Sequence, residues 1–121
     1  MSVRAVRGAI QVPENTAEAI RAASVRLTAE LLARNALAPR RVISLVFSLT
    51  RDLTRASPAE AARSLGLPGV PLFCLQEAEI EGARPRLIRA LLTYSGKGAG
   101  QPVPVYLDGA ESLRPDLFVG S

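Results

Sequence analysis

The sequence predicts an α+β domain: a mixed β-sheet with one long and one short helix. Three observations carry that prediction. The apolar pattern switches between strand-like and helix-like repeats in the order strand, helix, strand, helix, strand, strand, strand. Helices are few for that many strands, which favours an α+β layering over a doubly covered sheet. The helices can therefore cover one sheet face only, and the other needs a partner, for which a second copy of the chain is the natural choice.

Residues 3–12, VRAVRGAIQV, alternate as a strand does. Residues 13–35, PENTAEAIRAASVRLTAELLARN, read as a long helix. Asn15 is placed to cap its start, with Glu18 three residues on. Ile20, Ala23, Leu27 and Leu31 form one apolar stripe at helical spacing. Residues 41–50, RVISLVFSLT, are rich in β-branched and aromatic types and read as a strand.

The short helix, SPAEAARSLG over 57–66, is heavily punctuated. Ser57 is the expected cap, Pro58 takes the first helical position, Glu60 closes a capping box and Gly66 ends the element. Residues 70–80, VPLFCLQEAEI, read as a strand; a turn from Gly82 to Pro85 leads into RLIRALLTY, the strand of residues 86–94. SGKGAGQPVP, residues 95–104, is a loop by its glycine and proline content. VYL, 105–107, is a short last strand. In the closing SLRPDL, Pro115 keeps Arg114 out of the helical region, so the segment is extended or turn-like.

Composition narrows the chemistry. The 121 residues make one domain, 48% hydrophobic but only 4% aromatic, so the core is modest. The lone Cys74 excludes an intramolecular disulfide and fits a reducing cytosol. MSVRAVRGAIQV lacks the long apolar stretch of a signal peptide, and no apolar run is long enough for a membrane span. The expected setting is the cytoplasm, with no membrane association. Histidine is absent, which removes the usual neutral-pH proton shuttle, the histidine-dependent nucleophilic systems and the commonest metal ligand. No metal or cofactor is expected.

The charge is +4 and the basic side is 14 Arg against the single Lys97. A GC-rich coding bias accounts for that total as well as any function does, but not for where individual arginines fall. SGKGAG lacks the spacing of a phosphate loop and opens no helix. Nucleic-acid binding has only the isoelectric point of about 10.2 in its favour.

Three charges interrupt apolar strand faces. Arg89 shares a face with Leu87, Leu91 and Thr93; Glu77 with Phe73 and Leu75; Arg7 with Val3, Ala5 and Ala9. Taken singly, each charge is explained by pairing with another or by reaching water from an edge strand. Taken together, two arginines against one glutamate leave a positive excess that an anionic ligand would relieve. Arg63, late in the short helix, and Arg114, in the tail, are further basic groups in reach of such a ligand, or else solvated surface arginines. Cys74 reads as a small buried hydrophobe and Tyr106 as packing.

VRGAI with Arg7, TRDLTRASPAEAAR, VPLFCLQE, LIRALL, VYL and LRPDL resemble, in order and spacing, the blocks of the AroH-type chorismate mutases over nearly the whole chain. The resemblance implies a homotrimer whose strands form a pseudo-barrel, with active sites at subunit interfaces. It implies rearrangement of chorismate to prephenate, a step toward the aromatic amino acids that needs no proton transfer and no cofactor. By the same resemblance Arg89 donates to the breaking ether oxygen and a substrate carboxylate, and Arg7 binds a carboxylate. Glu77 accepts from the ring hydroxyl and orients Arg89. Cys74 contacts the ring region and Tyr106 lines the enolpyruvyl side. Arg63 comes from the neighbouring subunit, with Ala59 and Leu72 as wall, and Leu113 and Arg114 close over the mouth.

The chain departs from the family pattern at Ser57, where a Phe is usual, and at Phe73, where a small or polar residue is common. It also departs at the acidic Glu60 and at Pro104. Two alternatives therefore stand beside an active mutase. One is a weakly active paralogue binding a chorismate-like dicarboxylate. The other is a trimeric interaction module in which Arg89 and Glu77 are structural ion pairs.

Overall fold

The computed structural model describes residues 2–67, 69–96, 98 and 100–117. The strands are β1 (Val3–Gln11), β2 (Val42–Leu49), β3 (Leu72–Gln76), β4 (Leu87–Ser95) and β5 (Val105–Leu107). The helices are α1 (Ala17–Arg34) and α2 (Pro58–Ala62), and short 3₁₀ turns occupy Pro39–Arg41, Arg63–Leu65, Ala110–Leu113 and Pro115–Leu117. Element type and order follow the sequence prediction. The strand expected over 70–80 is shorter, because after Gln76 the chain leaves the sheet. Lys97 lies outside the described residues.

The sheet order is β3-β2-β4-β1-β5. β4 is antiparallel to both β1 and β2, whereas β5 runs parallel to β1 and β3 parallel to β2, so the sheet is mixed. Paired residues share a face. Through the register Gly8, Ala90, Phe47 and Cys74 fall on one face, with Val6, Leu92, Leu45 and Leu72 beside them. That face meets the helices. Ile20, Ala23, Leu27 and Leu31 of α1 are all buried against it, as the helical stripe predicts. Gly8 is where α1 crosses: a Cβ there would sit 2.9 Å from the Val105 carbonyl oxygen and 3.1 Å from Leu27 Cδ1, so the crossing requires glycine. Ser24 and Thr28 are also buried in α1, and each hydroxyl donates to the carbonyl one turn back, at 2.6 and 2.8 Å.

The capping assignments need correction. Thr16, not Asn15, caps α1, accepting from the Ala19 N–H at 3.1 Å. Asn15 instead bonds Thr54 twice, through its amide to the hydroxyl and through its carbonyl from the backbone N–H. It thus ties the start of α1 to the loop before α2. Ser57 precedes α2 in extended backbone but makes no side-chain cap; the first turn closes through its carbonyl, which accepts from Ala61 N–H. Gly66 ends the segment in the left-handed region, as expected of a terminal glycine.

Candidate active site

Among the described residues no helix covers the second sheet face. Ala9, Arg89 and Ser48 lie side by side on it, next to the row Arg7, Leu91, Val46 and Phe73, with Leu75 beside Ser48 and Tyr106 beside Ala9. The period of two has sent Arg7, Arg89 and the lead-in to Glu77 to one side, so the three interrupted faces of the sequence are one face of the fold.

Glu77 follows β3, held by its backbone N–H donating to the Leu49 carbonyl at 2.7 Å. Its Oε1 lies 2.7 Å from Arg89 Nε. The N–H is not aimed along that line, and neither Arg89 Nε nor Glu77 Oε2 has a hydrogen-bond partner among the described residues. The contact is therefore an ion pair with polar capacity left over. The Arg89 side chain is 42% exposed and opens onto a depression of about 150 Å³ lined also by Arg7, Ser48, Leu75 and Leu91. Arg7 is exposed, and no carboxylate of the described residues pairs with it.

Arg7 and Leu91 also line a second depression of about 250 Å³, whose other walls include Pro102, Pro104, Tyr106 and Arg114. Tyr106 is buried, packed with Ala9, Leu87 and Ala110, and Leu113 lies against that cluster. Arg114, in non-helical backbone between two 3₁₀ turns, grips Asp116 with a fork of 2.9 and 3.0 Å. The hydrogen bonds of that fork, joined by contact with Tyr106, raise the Arg114 guanidinium further above its ordinary value. The same contact holds the Asp116 carboxyl below its ordinary value.

The remaining residues expected at the site lie elsewhere in the chain. Ala59 and Leu72 are on the helix side and pack with the main core, Ser57, two residues before Ala59, is half-buried, and Arg63 is exposed with no carboxylate partner among the described residues. Cys74 also faces the helix side, in register with buried Phe47, and burial pushes its thiol up. In one chain Cys74 and Arg89 thus lie on opposite faces of the sheet. Phe73 alone of the wall residues faces the open side, 59% exposed.

Two residues absent from the sequence reading belong to the neighbourhood. Thr50 and Asp52 bond each other and the start of β4, two and three residues before Arg89. The Thr-x-Asp spacing was the available signal, since both types bond local backbone at turns. Among the described residues no group of three or more His, Cys, Asp or Glu is placed to hold a metal. Among the described residues no helix is long and apolar enough to cross a membrane.

The family model for chorismate mutase type I matches residues 3–117. The chain is 42% identical over 117 residues to chorismate mutase AroH of Thermus thermophilus, covering 95% of this chain and 96% of that one. It is 34% identical over 119 residues to chorismate mutase AroH of Bacillus subtilis (strain 168), covering 97% and 94%. Among solved structures, a chorismate mutase from Clostridium thermocellum superposes with a TM-score of 0.82 at 34% identity, over 90% of this chain and 98% of that one. With a full-length family match and relatives this similar, the chain belongs to the chorismate mutase type I family, of the AroH kind.

Proposed function

We propose that this isomerase rearranges chorismate to prephenate at sites built between subunits of a homotrimer, by orientation and fixed electrostatics alone. The reaction breaks an ether C–O bond and forms a C–C bond within one molecule, so atoms balance with no acid, base or cofactor. What a protein can supply is a folded conformer held in place and positive charge at the ether oxygen as it takes up electron density.

The observation that carries the proposal is the division of the expected site into two separate halves. Arg7, Glu77, Arg89, Tyr106, Leu113 and Arg114 gather on or beside the open sheet face. Ala59 of α2 and Leu72 and Cys74 of the edge strand β3 are turned to the helix side, with Ser57 and Arg63 at the two ends of α2. An open face bearing exposed Val3, Leu91, Phe73 and Leu75 is a surface that association would bury. Docking the β3–α2 edge of one chain against the open face of the next would join the halves.

In such a site Arg89 takes the ether oxygen and one carboxylate, and Arg7 takes a carboxylate. Glu77 keeps an acceptor for the ring hydroxyl, and Tyr106 lines the enolpyruvyl side. Arg63, Ala59, Leu72, Cys74 and Ser57 complete the neighbour's wall, and Phe73 adds to the open face. Leu113 and Arg114 close the mouth, where Arg114 would exchange Asp116 for the substrate.

Loss of the chorismate diene absorbance reads the activity. Arg89→Ala is expected to cut kcat by about 10²–10³-fold with assembly intact. If it dissolves the oligomer instead, the Glu77–Arg89 contact is a structural ion pair and the catalytic role fails. Coexpressed Arg89→Ala and Arg63→Ala chains, each inactive alone, are expected to recover about a quarter of wild-type activity when mixed at random in a ring. No recovery would place both halves on one chain.

A further inference from the structure

The turn after β2 reaches across to the start of the strand that carries Arg89. The Thr50 backbone N–H donates to the Leu87 carbonyl at 3.1 Å, and the Leu87 N–H donates to the Thr50 hydroxyl oxygen at 3.0 Å. That hydroxyl donates in turn to Asp52 Oδ1 at 2.6 Å. Both Asp52 oxygens accept from a single group, the Arg86 backbone N–H, each at 3.1 Å.

Arg86 has a φ of 51°, in the left-handed region that residues other than glycine seldom enter. Such a backbone persists only where its surroundings over-determine it. Here the Asp52 carboxylate holds the N–H, and the Arg86 side chain donates through Nε to the Val12 carbonyl at 2.9 Å. The direction in which β4 leaves this kink sets where Arg89, three residues on, presents its guanidinium. The same turn reaches the Glu77 side: Leu49 accepts from the Glu77 N–H, and Arg51 pairs with Glu79.

We infer that Asp52, through the Thr50 hydroxyl and the Arg86 N–H, is a positioning residue that aims Arg89. The inference rests on the reading of Arg89 as the donor to the breaking ether. Asp52 itself is exposed and lies outside the depression that Arg89 lines. Misaiming a transition-state donor costs turnover more than substrate affinity.

The test is steady-state kinetics on Asp52→Ala, Asp52→Asn, Thr50→Val and Thr50→Ser, with melting temperatures. Asp52→Ala and Thr50→Val are expected to lower kcat by about tenfold or more with little change in KM. Asp52→Asn and Thr50→Ser each retain an acceptor for the β4 backbone and are expected to recover most of the rate. In an Arg89→Ala background Asp52→Ala should add little further loss of kcat, because the group it aims is already gone, while its effect on melting temperature stays the same. The ¹⁵N resonance of the Arg89 Nε–H gives a readout independent of turnover: sharp in wild type and Asp52→Asn, broadened in Asp52→Ala. A folded Asp52→Ala with wild-type kcat and an unchanged Arg89 resonance overturns the inference, as does a full additional loss in the Arg89→Ala background. Should Asp52→Ala not fold, Thr50→Val carries the same comparison. A wild-type protein that does not consume chorismate overturns the functional reading instead, and the Arg89 resonance still decides the positioning.

Discussion

The two faces of the five-stranded sheet are made by the same strands and differ in almost everything else. On the helix side Leu45, Phe47, Ile88 and Leu92 are fully buried, and even the hydroxyls of α1 are bonded internally. On the other side Val3, Leu91, Phe73 and Leu75 are exposed, Arg7 is unpaired among the described residues, and Arg89 and Glu77 hold polar atoms without hydrogen-bond partners. The first face is closed by the chain itself, so its residues answer to packing. The second is left open, so its residues answer to whatever docks there. A charge that would be costly on the first face costs far less on the second, where it can reach water.

That contrast can be broken by substitution. The largest effect is expected from Phe47→Ala on the closed face, a loss of about 3–5 kcal/mol in a denaturant melt. Phe73→Ala, one strand over on the open face, should change the stability of the single chain by less than about 0.5 kcal/mol yet weaken self-association in sedimentation. Equal losses of chain stability at the two positions would show that the open face is not open in the folded chain.

A smaller effect tests the tightness of the closed side. Gly8→Ala places a methyl against the Val105 carbonyl and the Leu27 side chain, and should cost about 1–3 kcal/mol as α1 shifts outward. An unchanged melting temperature would mean that α1 is looser than its packing implies.

The smallest effect belongs to the tail. Hydrogen bonding by Arg114 depresses the Asp116 carboxyl in the folded state, so whatever the fork contributes is present above the unfolded pKa and is lost as pH falls through the depressed one. Titration of the Asp116 carboxyl carbon should show a midpoint below the ordinary value of about 3.9, returning toward it in Arg114→Ala. An ordinary midpoint in the intact chain would mean that the fork does not persist in solution. The pair is solvent-exposed, so the melting temperature should hardly move between pH 7 and pH 4 on its account.

Much of this architecture was legible in the chain. Period-two alternation marked the strands, and the stripe of Ile20, Ala23, Leu27 and Leu31 marked the buried side of α1. Caps were less legible because neighbouring residues compete for the role. Asn15 and Thr16 both suit it, and the choice fell to Thr16 once Thr54 offered Asn15 two bonds from a distant loop. Ser57 holds the expected cap position but its hydroxyl makes no cap bond; its backbone carbonyl alone closes the first turn. The alternation that predicts a strand over 70–80 continues past Gln76, but no partner strand remains there and the strand ends.

Of the site, the sequence by itself determined which residues are out of place: Arg7, Arg89 and Glu77 interrupt apolar faces, and alternation alone makes them visible. The family blocks that surround them are likewise a property of the chain. Only the tertiary structure decided that these interruptions converge on one face, that Cys74 and Ala59 lie on the other, and that Thr50 and Asp52 reach the kink before Arg89. The physical reason is range. Periodicity tells a residue which side of its own strand it occupies, but strand order and register across tens of residues set which sides coincide, and those are won by the burial of the whole sheet rather than by any local preference.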